Sequence, residues 1–100
     1  MAKIITSENF NEIISTDKPV LIDFYADWCG PCRMLAPIIE EISNERDDIL
    51  VGKVNVDDQP ALAEKFDVVS IPTLVVLKNG QVHNIATGAR PKSAVLSLLD

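Results

Sequence analysis

The run Val20-Leu21-Ile22-Asp23-Phe24-Tyr25-Ala26 is apolar but for one acid, and after Asp27 it meets Trp28-Cys29-Gly30-Pro31-Cys32. A short apolar run of this kind reads as a buried strand of a parallel-type sheet. Beyond the second cysteine, Met34, Leu35, Ile38, Ile39 and Ile42 recur at helical spacing. Strand, cysteine pair and helix in direct succession place both thiols at a strand-to-helix junction.

Cys29 and Cys32 are the only cysteines in the chain. A Cys-x-x-Cys pair can be half of a zinc site, a structural disulfide or a redox dithiol. Structural zinc takes four ligands, usually Cys and His. The remaining supply is His83, so zinc would need carboxylates as substitutes, and no metal is expected. A disulfide across so short a loop constrains the unfolded chain very little in the entropic account. What short spacing favours is reversible exchange, in which one thiolate attacks a foreign disulfide and its neighbour resolves the mixed disulfide. At the helix start, free backbone N–H groups and the positive end of the helix dipole favour a thiolate over a thiol. Pro31 fits there, because a proline in the first turn loses no hydrogen bond. Cys29 is therefore expected as the exposed nucleophile and Cys32, one turn in, as the shielded resolving thiol.

One hundred residues, 47% of them hydrophobic, fit a single domain over residues 1–100 that folds without metal or disulfide. The net charge of -6 argues against a nucleic-acid surface, which needs clustered Lys and Arg. The longest plainly apolar run, residues 68–77, is broken by Ser70 and Pro72 and falls far short of the roughly 18 residues of a membrane span. Thr6, Ser7, Glu8 and Asn9 interrupt any secretory leader after Ile5. The expected setting is a reducing cytoplasm, away from membranes, where thiols that form disulfides are usually catalytic.

Elsewhere the pattern predicts scaffold. Ile4 and Ile5 suggest a short first strand, and Thr6 or Ser7 can cap a helix whose apolar face is Phe10, Ile13 and Ile14. The long helix runs from about Pro31 to Glu45 or Arg46, with Pro37 bending it and Glu40, Glu41, Asn44 and Glu45 as its solvated face. Residues 49–56 read as a core strand. Asp57 or Asp58 caps a short helix that packs Leu62 and Phe66 inward. Asn79-Gly80 is a hairpin turn joining residues 74–78 to residues 81–87, and His83 on the second strand reads as surface. Pro91 opens a last helix that buries Val95, Leu98 and Leu99. Asp23 stays open to two readings on pattern alone. Asp23 is an edge-strand acid facing water, or a desolvated acid whose raised pKa makes it a proton acceptor beside the dithiol. Lys53 reads as an ordinary surface lysine, and Pro72 as punctuation at a strand start.

The pieces DFYADWCGPC at Asp23 to Cys32, the helix proline Pro37, KVNVD at Lys53 to Asp57, IPT at Ile71 to Thr73, KNG at Lys78 to Gly80, and Gly88 stand in an order and spacing that resembles the thioredoxin family over nearly the whole chain. The resemblance implies an α/β fold with a central mixed sheet of about five strands flanked by helices on both faces. It implies a general protein-disulfide reductase, with Cys29 as nucleophile, Cys32 as resolving thiol, Asp23 as its general base and Lys53 as the cation that limits the acid's pKa. A cis bond before Pro72 would expose the backbone of Ile71 to an extended substrate. Trp28, Gly30, Pro31, Ile71, Pro72, Gly88 and Ala89 would form a flat, weakly polar docking surface for disulfide-containing proteins. The chain would be a monomer that binds no cofactor itself and is re-reduced by a flavin-dependent, NADPH-fed thioredoxin reductase. Tyr25 stands where many members have Trp, and Arg33 where many have Lys; both leave the chemistry intact. The rival functions are an oxidant or isomerase within redox chemistry, and a binding subunit of a larger assembly that uses the same surface.

Overall fold

The computed structural model describes residues 1–100. Its five strands are β1 (Lys3–Ile4), β2 (Val20–Tyr25), β3 (Leu50–Asn55), β4 (Thr73–Lys78) and β5 (Gln81–Thr87). Four helices connect or follow them: α1 (Phe10–Ile14), α2 (Gly30–Glu45), α3 (Pro60–Lys65) and α4 (Lys92–Ser97). The sheet order is β1-β3-β2-β4-β5. β3 lies parallel to β1 and β2, whereas β4 runs antiparallel to both β2 and β5. This is the mixed five-stranded α/β sheet that the resemblance implies.

Both faces of the central strands are covered, which is why β2 and β4 are apolar almost without alternation. Leu21, Leu74 and Val76 pack under α2 and α4 with Leu35, Ile39, Ile42, Val95 and Leu98. Val20, Ile22, Phe24, Val75 and Leu77 pack on the other side against Phe10 of α1 and Leu62 of α3. Asp23 falls on the Leu21 side, by the period-two alternation of a strand. It therefore occupies a place in the α2 face of the sheet that an apolar residue would otherwise fill.

Local chemistry accounts for the boundaries. Thr6 and Asn9 cap the entry to α1 reciprocally: Thr6 N–H donates to Asn9 Oδ1 at 2.7 Å, and Asn9 N–H donates to Thr6 Oγ1 at 3.3 Å. Asn79 (φ 54°) and Gly80 (φ 78°) form the β4–β5 turn in the left-handed region that an Asn-Gly hairpin demands. Asn84 and Val82 pair with Val76 and Leu77, so His83 sits in a bulge and points to solvent.

Several expectations need correction. The first strand is Lys3–Ile4, and Ile5 follows it as a buried core residue. α3 is preceded by Gln59 rather than capped by Asp57 or Asp58, and no side chain caps it. Leu99 is only half-buried. Glu41, Asn44 and Glu45 of α2 are exposed as expected, but two of them also meet α4. Lys92 of α4 donates to Glu41 Oε1 and Glu45 Oε2, each at 2.6 Å, tying α4 to α2. Glu40 is half-buried and accepts from Ala2 N–H at 2.8 Å. α2 continues through Pro37, which removes one donor from its ladder.

Candidate active site

β2, the central strand, ends at Tyr25 and α2 leads the chain away, with Cys29 at the helix N-cap. Its extended backbone (φ −86°, ψ 113°) turns Sγ back over the first turn, where it accepts from Cys32 N–H at 3.2 Å. Gly30 and Pro31 fill the first two helical positions, Pro31 losing nothing by lacking an N–H. Cys29 and Cys32 form a disulfide, their Cα atoms 5.2 Å apart. The expectation of an exposed Cys29 is not met: it is 5% exposed and Cys32 2% exposed. Backbone from the β3–β4 side covers Cys29, with Ile71 O at 3.9 Å from its sulfur. That approach is a contact, since an oxidised sulfur carries no proton to donate.

Around the disulfide the structure brings the expected surface residues together. The Ile71–Pro72 peptide is cis and Pro72 is buried. Pro72 O accepts from Gly88 N–H at 2.8 Å, which docks Gly88 and Ala89 against this loop. Gly88 has φ 98°, and a Cβ there would meet no atom within 4 Å, so backbone conformation rather than crowding calls for glycine. Trp28 is 68% exposed, and its Nε1–H donates to Asp57 Oδ2 at 2.9 Å. Sequence reasoning missed that partner, and it counted Met34 in the apolar stripe of α2, whereas the side chain is exposed, as is that of Val69. Met34 shares a shallow groove with Ala89 and Arg90.

Behind the disulfide lies a cavity of about 440 Å³, lined by Cys32, Asp23, Lys53 and Glu40 among others. Asp23 is 3% exposed, and its Oδ1 has no hydrogen-bond partner in the protein. Burial pushes its carboxyl pKa up from 3.8 to about 7, against the opposing pull of the Lys53 cation. Lys53 pairs with Asp23 in the β2–β3 register, which puts the two side chains on the same face. Its Nζ stands 3.7 Å from Glu40 Oε2 and 5.9 Å from the centre of the Tyr25 ring. No cluster of three or more His, Cys, Asp or Glu side chains is arranged to hold a metal ion. A disulfide at a helix N-cap, backed by an acid that titrates near neutrality, is equipped for thiol–disulfide exchange with proton transfer.

The chain matches known proteins along its whole length. The family model described as Thioredoxin matches residues 1–100. A thioredoxin of Chlamydia caviae is 46% identical over 100 residues, covering 100% of this chain and 97% of that one. A bifunctional thioredoxin reductase/thioredoxin of Mycobacterium leprae is 48% identical over 88 residues, covering 87% of this chain and 19% of that protein. Among solved structures, a thioredoxin of Malassezia sympodialis superposes with a TM-score of 0.89 at 35% identity, over 99% of this chain and 89% of that one. With the whole chain matched and the Cys-x-x-Cys pair poised for exchange, the protein belongs to the thioredoxin family of protein-disulfide oxidoreductases.

Proposed function

We propose that the chain is one domain acting as a general protein-disulfide reductase, cycling between the Cys29–Cys32 disulfide and the dithiol. The observation that carries this reading is the cavity joining Asp23 to Cys32 behind a disulfide at a helix N-cap.

In the reduced protein, the Cys32 N–H and the start of α2 favour the thiolate of Cys29. That thiolate attacks one sulfur of a target disulfide; the target's S–S bond breaks, and its departing sulfur takes up a proton. Asp23, as carboxylate, accepts the proton of Cys32 across the cavity, directly or through water. The Cys32 sulfur then attacks Cys29 Sγ, the mixed disulfide breaks, and the second target sulfur leaves and is protonated. Two electrons pass from the dithiol to the target, and the Cys29–Cys32 disulfide is restored. Lys53 keeps the pKa of Asp23 from rising beyond a useful range.

Trp28, Gly30, Pro31, Ile71, Pro72, Gly88 and Ala89 supply the docking face, and Ile71 offers backbone to an extended target segment. The oxidised form is returned to dithiol by an FAD- and NADPH-dependent thioredoxin reductase. The relative from Mycobacterium leprae, whose name joins those two activities in one chain, supports that pairing. No helix is long and apolar enough to cross a membrane. We place the protein in the cytoplasm as a monomer that handles neither nucleic acid nor membrane.

An NADPH-coupled assay with a thioredoxin reductase and a disulfide-bearing protein tests the reading. Wild type should consume NADPH in proportion to target thiols released. Cys29→Ser should abolish turnover, and Cys32→Ser should trap a mixed disulfide with the target. Wild-type inactivity with several reductases, together with target binding that survives Cys29→Ser/Cys32→Ser, would overturn it in favour of a binding subunit.

A further inference from the structure

One face of α2 carries both Cys32 and Glu40 to the cavity behind the disulfide, two helical turns apart. Across from it, register sets Asp23 beside Lys53 on neighbouring strands. The Glu40 carboxylate is fixed at both oxygens. Oε1 accepts from Ala2 N–H at 2.8 Å, and Oε2 lies 3.7 Å from Lys53 Nζ. Neither partner is free in solvent, since the Lys53 and Glu40 side chains are only 33% and 32% exposed. The ammonium thus lies against a tethered carboxylate, while its field also reaches the buried one across the cavity both line.

We propose that Glu40 is a positioning residue for the proton transfer at Cys32: by holding Lys53 at the outer wall of the cavity, it withdraws part of that cation's field from Asp23. The inference rests on the reading of Asp23 as the base for Cys32. An unshared ammonium beside a buried carboxylate favours the ionised form and lowers its affinity for a proton. A carboxylate with low affinity is a poor acceptor from a thiol, because general-base efficiency follows basicity. Glu40 opposes this in two ways of the same sign. It neutralises Lys53 in part, and its own negative charge disfavours a second one nearby.

The other ionisable groups around Asp23 do not duplicate this role. Arg33 of α2 is tied by Nη1–H to Asp27 O at 3.0 Å. Tyr25 of β2 presents its ring to Lys53. Asp27, in the turn after β2, is exposed at the cavity rim. On its other side Asp23 meets β4 at Leu74, which carries no charge.

Carboxyl NMR of the intact oxidised protein reads the titration of Asp23 directly. Glu40→Gln keeps an oxygen for Ala2 N–H and removes the charge. It should move the Asp23 midpoint toward acid by about half a pH unit, an effect expected for one partly screened charge near a buried site. Lys53→Gln should move it toward alkali, and in that background Glu40→Gln should move it less than half as far. An unmoved midpoint, or equal movement without Lys53, overturns the inference. In turnover assays the acid limb of the pH profile should shift with the carboxyl midpoint in Glu40→Gln; a profile that stays in place while the midpoint moves also overturns it. Failure of the underlying reading is seen separately, as unchanged turnover in Asp23→Asn.

Discussion

At Asp23 two physical effects of opposite sign meet in one side chain. Removal from water raises its pKa and the Lys53 cation lowers it, with burial the larger, so the group titrates near pH 7 instead of 3.8. Only the ionised form can accept a proton from Cys32. The resolving step should therefore quicken as pH rises through about 7 and then level off. Asp23→Asn fills nearly the same space but cannot accept that proton. It should lower the rate of the resolving step by about 100-fold, the smaller end of general-base effects, and flatten the dependence between pH 6 and about 8. Rapid-mixing measurement of mixed-disulfide decay would check both features; a variant that kept the wild-type limb would assign it to another group. Cys29 illustrates a different residue-scale lesson. Its N-cap position was readable from the strand-to-helix junction, yet its burial was not, because Ile71 reaches it from 42 residues away.

The elements are held in register by close approaches that single positions permit. Gly52 of β3 pairs with Lys3 of β1. A Cβ at Gly52 would lie 2.8 Å from Ile5 Cγ1 and 3.3 Å from Lys3 O. Ile5 is 1% exposed and cannot yield into solvent. Gly52→Ala should therefore destabilise the protein by about 1–3 kcal/mol through overpacking. Ile5→Ala should relieve part of that strain, so the double variant should lose less than the two singles together in urea titrations. β2, α2, β4 and β5 were legible because each carries its own signal: an apolar run, a helical period, or an Asn-Gly turn. The residues sharing the cavity were legible unevenly. Asp23 stood out as an acid inside an apolar strand, whereas Glu40 looked like one more acid on a wet helix face. Its eight-residue separation from Cys32 puts both on one side of α2, but only the packing of that side over β3 gives the spacing meaning. The Lys92 clamp on Glu41 and Glu45 was invisible for the same reason, since nothing local joins α4 to α2.

For the molecule as a whole, a buried acid is a standing cost to stability, and the pH dependence of unfolding should expose it. Asp23 has a folded pKa of about 7 against 3.8 for the ordinary group. Between those values the native state holds a proton that the unfolded chain has released, so stability declines as pH rises across that window. The stabilisation is complete below pH 3.8 and gone above about 7, an amount on the order of 4 kcal/mol at roughly 1.4 kcal/mol per pH unit. Exposed pairs act in the opposite sense at lower pH. Arg46 holds the Asp48 carboxyl down to about 2, and Lys92 lowers that of Glu41, so both favour the native state at neutrality and lose that effect in acid. Subtracting wild type from an Asp23→Ala variant cancels these and isolates the buried group. The variant should be more stable by about 2–4 kcal/mol at pH 8, with the gain shrinking steadily toward pH 4. Urea unfolding curves at four or five pH values would test this. A gain independent of pH would assign the effect to packing around the cavity, and a loss at pH 8 would mean that the ionised Asp23 is better solvated than its burial implies.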